Sequence, residues 1–433
     1  MNEITKQIKF ILNHAINSVK PETLIKQSVS FDSNYIKIPS YIFNVNDYEN
    51  IFVIGFGKAS AAMASSLENI LGNHIADGMV ITKYGYSMRT KKIKVKEAGH
   101  PVVDINGIEA TKELVDFVKR TGKNDLVIVL ISGGGSALLE TLPENIEFED
   151  FRNLNKLLLN CGATINEINV VRKSISSVKG GKLARIIYPS EILNIIISDI
   201  IDDPVEDIAS GPTVKQIIKN TEALKILKKY SLIDKISASI VDYLQMPENS
   251  FKVPEIKITN IIIGNNKLAL KDASEKAKYF GFNTYLISDK IQGEARIVGK
   301  EVAGLIKSVI AKDEPVKKPA CILFGGETTV TVTGKGKGGR NQELVLAALL
   351  ELQNVKAEFS FLSCGTDGTD GPTDAAGALI NNHSWKLVGQ LNLNPGEFLI
   401  NNDSYNFFDK INGLIKTGPT GTNVMDIGIA LIK

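Results

Sequence analysis

Short runs of apolar residues recur along the chain, and several of them lead through glycine or small polar residues into a stretch with helical spacing. Apolar runs without polar alternation are typical of strands buried on both faces, as in parallel sheets. The runs lie at residues 50–54, 78–82, 125–132, 191–198, 259–263, 283–288, 317–325 and 359–364. This alternation of buried strands with amphipathic helices predicts an α/β fold with a mostly parallel sheet.

The alternation occurs twice, which predicts two α/β domains. Residues 3–26 have the apolar spacing of an amphipathic helix that opens the chain. Residues 246–254 are polar and contain two prolines, so we interpret them as a linker. The predicted domains are a Rossmann-like domain at residues 1–245 and a second α/β domain at residues 246–433.

The composition of the 433-residue chain, with 43% hydrophobic and 23% charged residues, is that of an ordinary globular protein. A net charge of +2 without a basic domain argues against nucleic acid as a partner. The three cysteines form no CxxC pair and the four histidines lack ligand spacing, so we expect no zinc site and no histidine general base. The chain has no bilayer-length apolar run and no signal peptide, which predicts a cytoplasmic protein without membrane contact.

The strongest candidate for a ligand-binding element lies at residues 325–350. Residues 328–333 alternate Thr and Val and predict a strand, residues 334–339 form a glycine loop, and a predicted helix follows. A helix N-terminus with added positive charge favours a polyanion, most simply a phosphate. A flexible surface turn is the alternative interpretation. The candidate phosphate-binding residues here are Lys335, Lys337, Gly339, Arg340 and Asn341.

A tight turn with the sequence Gly-Phe-Gly-Lys-Ala-Ser joins the first buried strand to an alanine-rich helix. It fails as a dinucleotide fingerprint, because Ser60 takes the place of the last Gly or Ala and Lys83, rather than an acid, follows the next strand. Lys58 stands at a helix N-terminus, where a cation is disfavoured unless an anion lies near. Gly57 and Lys58 are therefore candidates for binding an anionic substrate, and a lysine that turns to solvent is the alternative.

A second glycine-rich junction follows the apolar run at residues 125–132. Its glycines allow a ligand to approach the backbone closely, and its last serine could cap the next helix or bind an anion. A sharp turn without a ligand is the alternative. The candidate residues are Ser132, Gly133, Gly134, Gly135 and Ser136.

Acidic residues follow two further strands. Asp199 ends the apolar run at residues 191–198, and carboxyl ends of parallel strands form the ligand-binding edge of such a sheet. Asp367 and Asp370 lie in a Gly- and Thr-rich loop, and oxygen ligands of this kind suit Mg²⁺. Local Asx turns with a helix cap at Asp374 are the alternative.

Phosphoryl transfer requires charge neutralisation, positioning and a metal, which the candidate residues together could supply. The chain nevertheless contains no P-loop and no protein-kinase motif.

Several stretches together resemble the MOFRL-type glycerate 2-kinases, which have an N-terminal glycerate-kinase domain and a C-terminal MOFRL domain. The resemblance extends from about residue 50 to the C-terminus. The matching stretches are Gly55-Phe-Gly-Lys-Ala-Ser, Gly99-His-Pro, Ser132-Gly-Gly-Gly-Ser-Ala, Asn169-Val-Val-Arg-Lys, Val178-Lys-Gly-Gly-Lys-Leu-Ala, Ser198-Asp, Asp207-Ile-Ala-Ser-Gly-Pro-Thr, Gly325-Gly-Glu-Thr, Gly338-Gly-Arg-Asn-Gln-Glu and Gly365-Thr-Asp-Gly-Thr-Asp-Gly-Pro-Thr-Asp-Ala-Ala-Gly.

The resemblance implies transfer of the γ-phosphoryl group of ATP to the 2-hydroxyl of D-glycerate with Mg²⁺, in a cleft between two α/β domains. The sequence leaves the oligomeric state open, with a homodimer as one alternative. It also implies that Lys58 and Arg340 are central to catalysis.

On this basis we expect Lys58 to bind the glycerate carboxylate or the phosphoryl group, and Arg340 to stabilise the phosphoryl group. Backbone donors of residues 133–136 would bind phosphate or glycerate. Asp199 would orient or deprotonate the hydroxyl or bind Mg²⁺, and Asp367 and Asp370 would hold Mg²⁺ or the ribose. The alternatives are an NAD(P)-dependent hydroxypyruvate reductase and a non-catalytic sugar-phosphate-binding protein.

Overall fold

The computed structural model describes residues 2–246 and 255–433, so all but the first residue of the predicted linker lies outside the described residues. Contacts divide the chain into two compact units. One, the parallel-sheet unit, comprises Ile25–Ile197 and Pro204–Ile263. The other, the mixed-sheet unit, comprises the residues up to Leu24, Ser198–Asp203 and Gly264–Lys433.

Strands and helices alternate along most of the chain. The strands are β1 Ser30–Asp32, β2 Tyr35–Ile38, β3 Tyr41–Asn44, β4 Asn50–Phe56, β5 Ile75–Lys83, β6 Ile93–Ala98, β7 Asp125–Ile131, β8 Glu191–Ile197, β9 Ile258–Gly264, β10 Asn283–Leu286, β11 Ala320–Gly326, β12 Phe359–Gly365, β13 Gly377–Asn381, β14 Leu414–Ile415 and β15 Asp426–Ile432. The helices are α1 Glu3–Ser18, α2 Pro21–Ser28, α3 Ser60–Leu71, α4 Ile105–Val118, α5 Gly135–Leu138, α6 Phe148–Asn160, α7 Ile165–Ile175, α8 Lys182–Ile187, α9 Asn220–Lys229, α10 Ala238–Gln245, α11 Asn266–Tyr279, α12 Ala295–Lys312, α13 Arg340–Glu351, α14 Ser384–Gln390, α15 Pro395–Ile400 and α16 Ser404–Lys410.

A six-stranded sheet with the order β6-β5-β4-β7-β8-β9 forms the core of the parallel-sheet unit. Strands β6, β5, β4, β7 and β8 pair in parallel. Every residue of β7 is buried, which agrees with the continuous apolar run that predicted it. The carboxyl ends of β4 and β7 are neighbours, so the two glycine turns that follow them lie at the same edge of the sheet.

The mixed-sheet unit has a second six-stranded sheet with the order β10-β11-β15-β12-β13-β14. Strand β15 is antiparallel to both of its neighbours, β11 and β12, whereas β10 and β11 are parallel. Helices α12 and α13 bury apolar faces in a hydrophobic cluster of this unit. The predicted α/β class with a mostly parallel first sheet is therefore confirmed, and the second sheet is mixed.

Three local expectations differ from the structure. The helix predicted at residues 3–26 is two helices, because Pro21 begins α2 and cannot continue α1. Residues 328–333 form no strand and only Thr329 makes an isolated bridge, to Glu294, so the Thr–Val alternation was misleading. The N-terminal helix packs with the C-terminal part of the chain, where Thr422 Oγ donates to the Val19 carbonyl at 2.6 Å, rather than with residues 25–197.

A charged pair lies inside the parallel-sheet unit. Lys179 and Glu140 are each 1% exposed, and Lys179 Nζ lies 2.6 Å from Glu140 Oε2. Lys179 also donates to the Leu139 carbonyl at 2.8 Å, and Ser176 Oγ donates to Glu140 Oε1 at 2.6 Å. Burial lowers the pKa of Lys179, while Glu140 opposes that shift. The pair fixes the segment that follows α5 against the segment that follows α7.

None of the helices in residues 2–246 and 255–433 combines the length and the apolar character that crossing a membrane requires.

Candidate active site

The two glycine turns of the parallel-sheet unit are built against each other. Gly57 has φ +122°, and a Cβ atom there would lie 2.3 Å from Ser132 Oγ, so only glycine fits. The Lys58 N–H donates to the Gly133 carbonyl at 2.9 Å, and the Ala59 N–H donates to Ser132 Oγ at 3.0 Å. Ser132 is almost fully buried, so its hydroxyl holds the two turns together instead of facing a substrate as predicted.

Gly134 packs against the side chains of His100 and Lys58. It has φ +81°, and a Cβ atom there would lie 2.8 Å from the imidazole atoms Cδ2 and Nε2 of His100 and 3.2 Å from Lys58 Cγ. The absence of a side chain at Gly134 therefore lets His100 and the stem of Lys58 approach the same point of the loop. His100 was not among the predicted site residues, although it lies in one of the family motifs.

The remaining residues of the second turn contact a different segment. Gly135 packs against Ala209, where an added Cβ would lie 2.6 Å from the Ala209 side chain. Ser136 lies inside the short helix α5 and does not cap it, because Gly134 is the residue at the N-cap position. The Ser136 hydroxyl instead lies 2.9 Å from the hydroxyl of Ser210.

Arg340 begins helix α13 and contacts two carboxylates in the mixed-sheet unit. Its Nε and Nη2 donate to Asp426 Oδ2 and Oδ1 at 2.6 and 3.0 Å, and its Nη1 lies 2.8 Å from Glu327 Oε1. Burial alone would lower the pKa of Arg340, but Asp426 and Glu327 raise it above its ordinary value. Arg340 therefore stays a cation held in a fixed orientation, as a bidentate arginine–carboxylate pair provides.

The register of the mixed sheet explains the position of Asp426. Asp426 is the first residue of β15 and pairs with Gly326 at the end of β11 and with Gly365 at the end of β12. The carboxyl ends of two strands and the start of a third thus meet beside Arg340. Asp426 is not among the site residues that the sequence predicts.

The N-terminus of α13 is already occupied by a carboxylate of the protein itself. Asp370 Oδ1 accepts from the Asn341 N–H at 3.1 Å and Nδ2 at 3.3 Å, and Oδ2 accepts from the Gln342 N–H and Nε2, both at 2.9 Å. A Cβ atom at Gly339 would lie 2.3 Å from the Asp370 carboxyl carbon. The predicted phosphate-binding roles of Gly339 and Asn341 are therefore not supported, because these residues accommodate and bind Asp370.

The lysine loop before α13 is fixed by side chains of residues 401–403. The Lys335 N–H donates to Asn401 Oδ1 at 3.0 Å, and the Lys337 N–H donates to Asp403 Oδ1 at 2.8 Å. Lys337 Nζ lies 4.2 Å from the centre of the Tyr405 ring. These backbone N–H groups bind the protein, so a phosphate here would meet the exposed lysine side chains and not the loop backbone.

The three aspartates predicted to bind Mg²⁺ have different environments. Asp370 uses both oxygens to cap α13 and does not fit as a metal ligand. Asp367 Oδ1 accepts from the Thr369 N–H and hydroxyl, both at 2.9 Å, in a local turn. Asp199 Oδ2 accepts from Asn423 Nδ2 at 3.4 Å. In the described part of the chain, no group of three or more His, Cys, Asp or Glu residues is arranged to hold a metal.

Asp370 makes the stability of the protein depend on pH. Burial raises its pKa to about 6, although hydrogen bonds from Gln342 and Asn341 oppose the shift. The folded protein therefore binds a proton more tightly than the unfolded chain, so the stabilisation from protonation is lost as the pH rises through about 6. We expect the free energy of unfolding of wild type, relative to Asp370→Asn, to increase when the pH falls from about 7 to about 4.5. Urea unfolding at both pH values measures this difference, and an unchanged difference would contradict the assignment.

Two family models match the chain. One, described as a domain of unknown function (DUF4147), matches residues 7–245, and the other, described as the MOFRL family, matches residues 320–426.

Proteins similar to almost the entire chain are known. It is 38% identical to the glycerate 2-kinase of Pyrococcus horikoshii over 98% of this chain and 96% of that protein. The crystal structure of the glycerate kinase from Thermotoga maritima has a TM-score of 0.88 and 37% identity, and the match covers 99% of each chain. A relative from Agrobacterium vitis, provisionally named a hydroxypyruvate reductase, is 39% identical over 88% of this chain and 98% of that protein. The chain therefore belongs to the MOFRL-type glycerate kinases.

Proposed function

We propose that this protein phosphorylates D-glycerate at its 2-hydroxyl, using ATP and Mg²⁺, to give 2-phosphoglycerate and ADP. The observation that carries the proposal is the placement of Lys58 at a glycine turn and of Arg340 at a helix start, in a chain similar along its length to glycerate 2-kinases. Phosphoryl transfer requires positioning and charge neutralisation more than covalent chemistry by the protein, and these cations supply both.

Each proposed role follows from the chemistry of the side chain. Lys58 binds the glycerate carboxylate or the phosphoryl group in transfer. Arg340 has a planar guanidinium suited to phosphate oxygens, and Asp426 and Glu327 keep it charged and oriented. Asp199 either binds Mg²⁺ or orients and deprotonates the 2-hydroxyl, whose oxygen bonds to the γ-phosphorus while the bond to the leaving ADP oxygen breaks.

The residues proposed to hold Mg²⁺ are Asp199 and Asp367. Magnesium is usually bound by one or two carboxylates together with substrate phosphates, so two acids are enough. When bound, the ion would neutralise charge on the nucleotide phosphates. We further propose that the enzyme acts in the cytoplasm and as a homodimer.

Enolase provides the direct test of the reaction. Enolase consumes 2-phosphoglycerate but not 3-phosphoglycerate, so we expect a signal with ATP, Mg²⁺ and D-glycerate without added mutase. A signal that requires mutase would overturn the proposed regiochemistry. No consumption of ATP would overturn the kinase proposal itself.

The name of the Agrobacterium vitis relative makes a hydroxypyruvate reductase the second candidate. The turn at Gly57 is a close-packed glycine turn, but the strand that follows, β5, ends at Lys83 and not at an acid that could bind a ribose hydroxyl. We therefore expect no loss of NADH or NADPH absorbance at 340 nm with hydroxypyruvate. Turnover of either cofactor in this assay would favour the reductase.

A further inference from the structure

A strained turn at residues 209–211 packs against residues 135 and 136 of the second glycine-rich turn in the parallel-sheet unit. Three consecutive residues, Ala209, Ser210 and Gly211, have left-handed φ values of 51°, 66° and 57°. Residues with a Cβ atom rarely adopt this conformation, and two in succession persist only where the surrounding structure enforces them. Strain of this kind is concentrated at functional sites.

The backbone on both sides holds the turn in place. The Gly180 N–H donates to the Ser210 carbonyl at 3.0 Å, and the Gly181 N–H donates to the Gly211 carbonyl at 2.8 Å. The Ser210 N–H donates to the Asp207 carbonyl at 2.9 Å. The strained conformation therefore fixes the direction of the Ser210 side chain.

The Ser210 side chain contacts the second glycine-rich turn at Ser136. The Ser210 hydroxyl lies 2.9 Å from the Ser136 hydroxyl, and Ser210 is only 3% exposed. Within residues 2–246 and 255–433, Ser136 is the one hydrogen-bond partner of the Ser210 side chain. We assign the donor role to Ser210, because a buried hydroxyl needs an acceptor for its proton and the Ser136 oxygen lies within reach.

This direction leaves the proton of Ser136 available for another acceptor. Ser136 is partly exposed and lies two residues after Gly134, against which Lys58 and His100 pack. A hydroxyl donor in a loop that packs against the stem of a lysine suits an anionic oxygen.

We propose that the Ser136 hydroxyl donates to an anionic oxygen of the hydroxy-acid substrate, and that Ser210 is a positioning residue that directs this hydroxyl. The proposal rests on the proposed function and assigns a substrate contact to the glycine loop. We assign that oxygen to the carboxylate of glycerate; a nucleotide phosphate is the other anionic source, and the KM values for the two substrates distinguish them.

Four variants test the pair. We expect Ser210→Ala and Ser210→Gly each to raise the KM for D-glycerate about tenfold, with kcat and the KM for ATP changed less than threefold. Ser210→Gly removes the hydroxyl but suits the left-handed backbone, so its Tm should not fall. Ser136→Ala should raise the KM for glycerate to a similar extent.

The double variant separates a positioning role from a structural role. Because Ser210 acts through Ser136, Ser136→Ala/Ser210→Gly should have the same KM for glycerate as Ser136→Ala alone. The matched control is Ser174→Ala, which removes another buried hydroxyl, bonded to the Val170 carbonyl at 3.0 Å, and should leave both KM values unchanged.

Three results would overturn the proposal. An additive double variant, or Ser210→Gly with an unchanged KM for glycerate, overturns the proposal. A raised KM for ATP in place of glycerate shows that the hydroxyl binds the nucleotide and also overturns it.

If the wild type phosphorylates nothing, calorimetric titration with D-glycerate distinguishes failure of the kinase proposal alone from failure of both the kinase proposal and the inference about Ser136 and Ser210. Glycerate binding that Ser210→Gly weakens about tenfold keeps the inference while the kinase proposal fails. Absence of glycerate binding by the wild type overturns both.

Discussion

Replacing Arg340 with alanine is expected to lower kcat/KM for glycerate phosphorylation on the order of 10³-fold. The guanidinium that would neutralise charge on the transferred phosphoryl group is then lost, and Asp426 and Glu327 would be left facing that group without a cation. Arg340→Lys keeps the charge but not the bidentate geometry, so most of the loss should remain. Coupled assays with ATP and glycerate as varied substrates measure these values.

A structural role for Arg340 must be distinguished from a catalytic one. Asp426 is mostly buried, so removal of its partner also destabilises the fold. We therefore expect Arg340→Lys to keep most of the Tm while losing activity. The control is Arg152→Ala, an exposed arginine paired with Glu149, which should leave kcat/KM unchanged. If Arg340→Ala or Lys58→Ala stays within threefold of wild type, the catalytic assignment is wrong.

The second large effect is expected from Glu140→Gln. The substitution keeps the size of the side chain but removes the charge opposite Lys179, which is only 1% exposed, so bulk solvent does not replace that charge. Removal of one partner from a buried ion pair costs about 3–5 kcal/mol. Urea unfolding at neutral pH measures the change.

An exposed salt bridge, between Arg152 and Glu149, provides the matched control for Glu140→Gln. Glu149→Gln breaks a salt bridge between exposed side chains, and such pairs contribute within about 1 kcal/mol. The double variant Glu140→Gln/Lys179→Met should be more stable than Glu140→Gln alone, because no unpaired charge remains inside. Equal stability losses for Glu140→Gln and Glu149→Gln would contradict the importance of the buried pair.

Local sequence patterns predicted the features that depend on near neighbours. The apolar runs became the buried strands β4, β7 and β8, because strands of a parallel sheet exclude polar side chains on both faces. Arg340 begins α13 as predicted, since a glycine loop followed by helix-forming residues defines a helix start. Lys58 was identified as a candidate anion-binding residue from the sequence alone, because a cation is disfavoured at a helix N-terminus unless an anion lies near.

The partners of these residues could not be predicted in the same way. Arg340 binds Asp426, which is 86 residues away in the chain, and the N-terminus of α13 binds Asp370 rather than a ligand. An acid in a Gly- and Thr-rich loop has the same local sequence whether it binds a metal or caps a helix. Only the approach of two distant segments, permitted by Gly339, decides between these roles.

The sequence by itself therefore determined the buried strands β4, β7 and β8, the glycine turns and the two cations proposed for catalysis, because these depend on residues within a few positions of one another. Tertiary structure alone decided that Ser132 joins two turns, that His100 lies against Gly134 and that the hydroxyls of Ser210 and Ser136 lie 2.9 Å apart. The physical reason is that a hydrogen bond or ion pair forms between groups brought within about 3 Å by folding, and local sequence does not specify which distant group arrives.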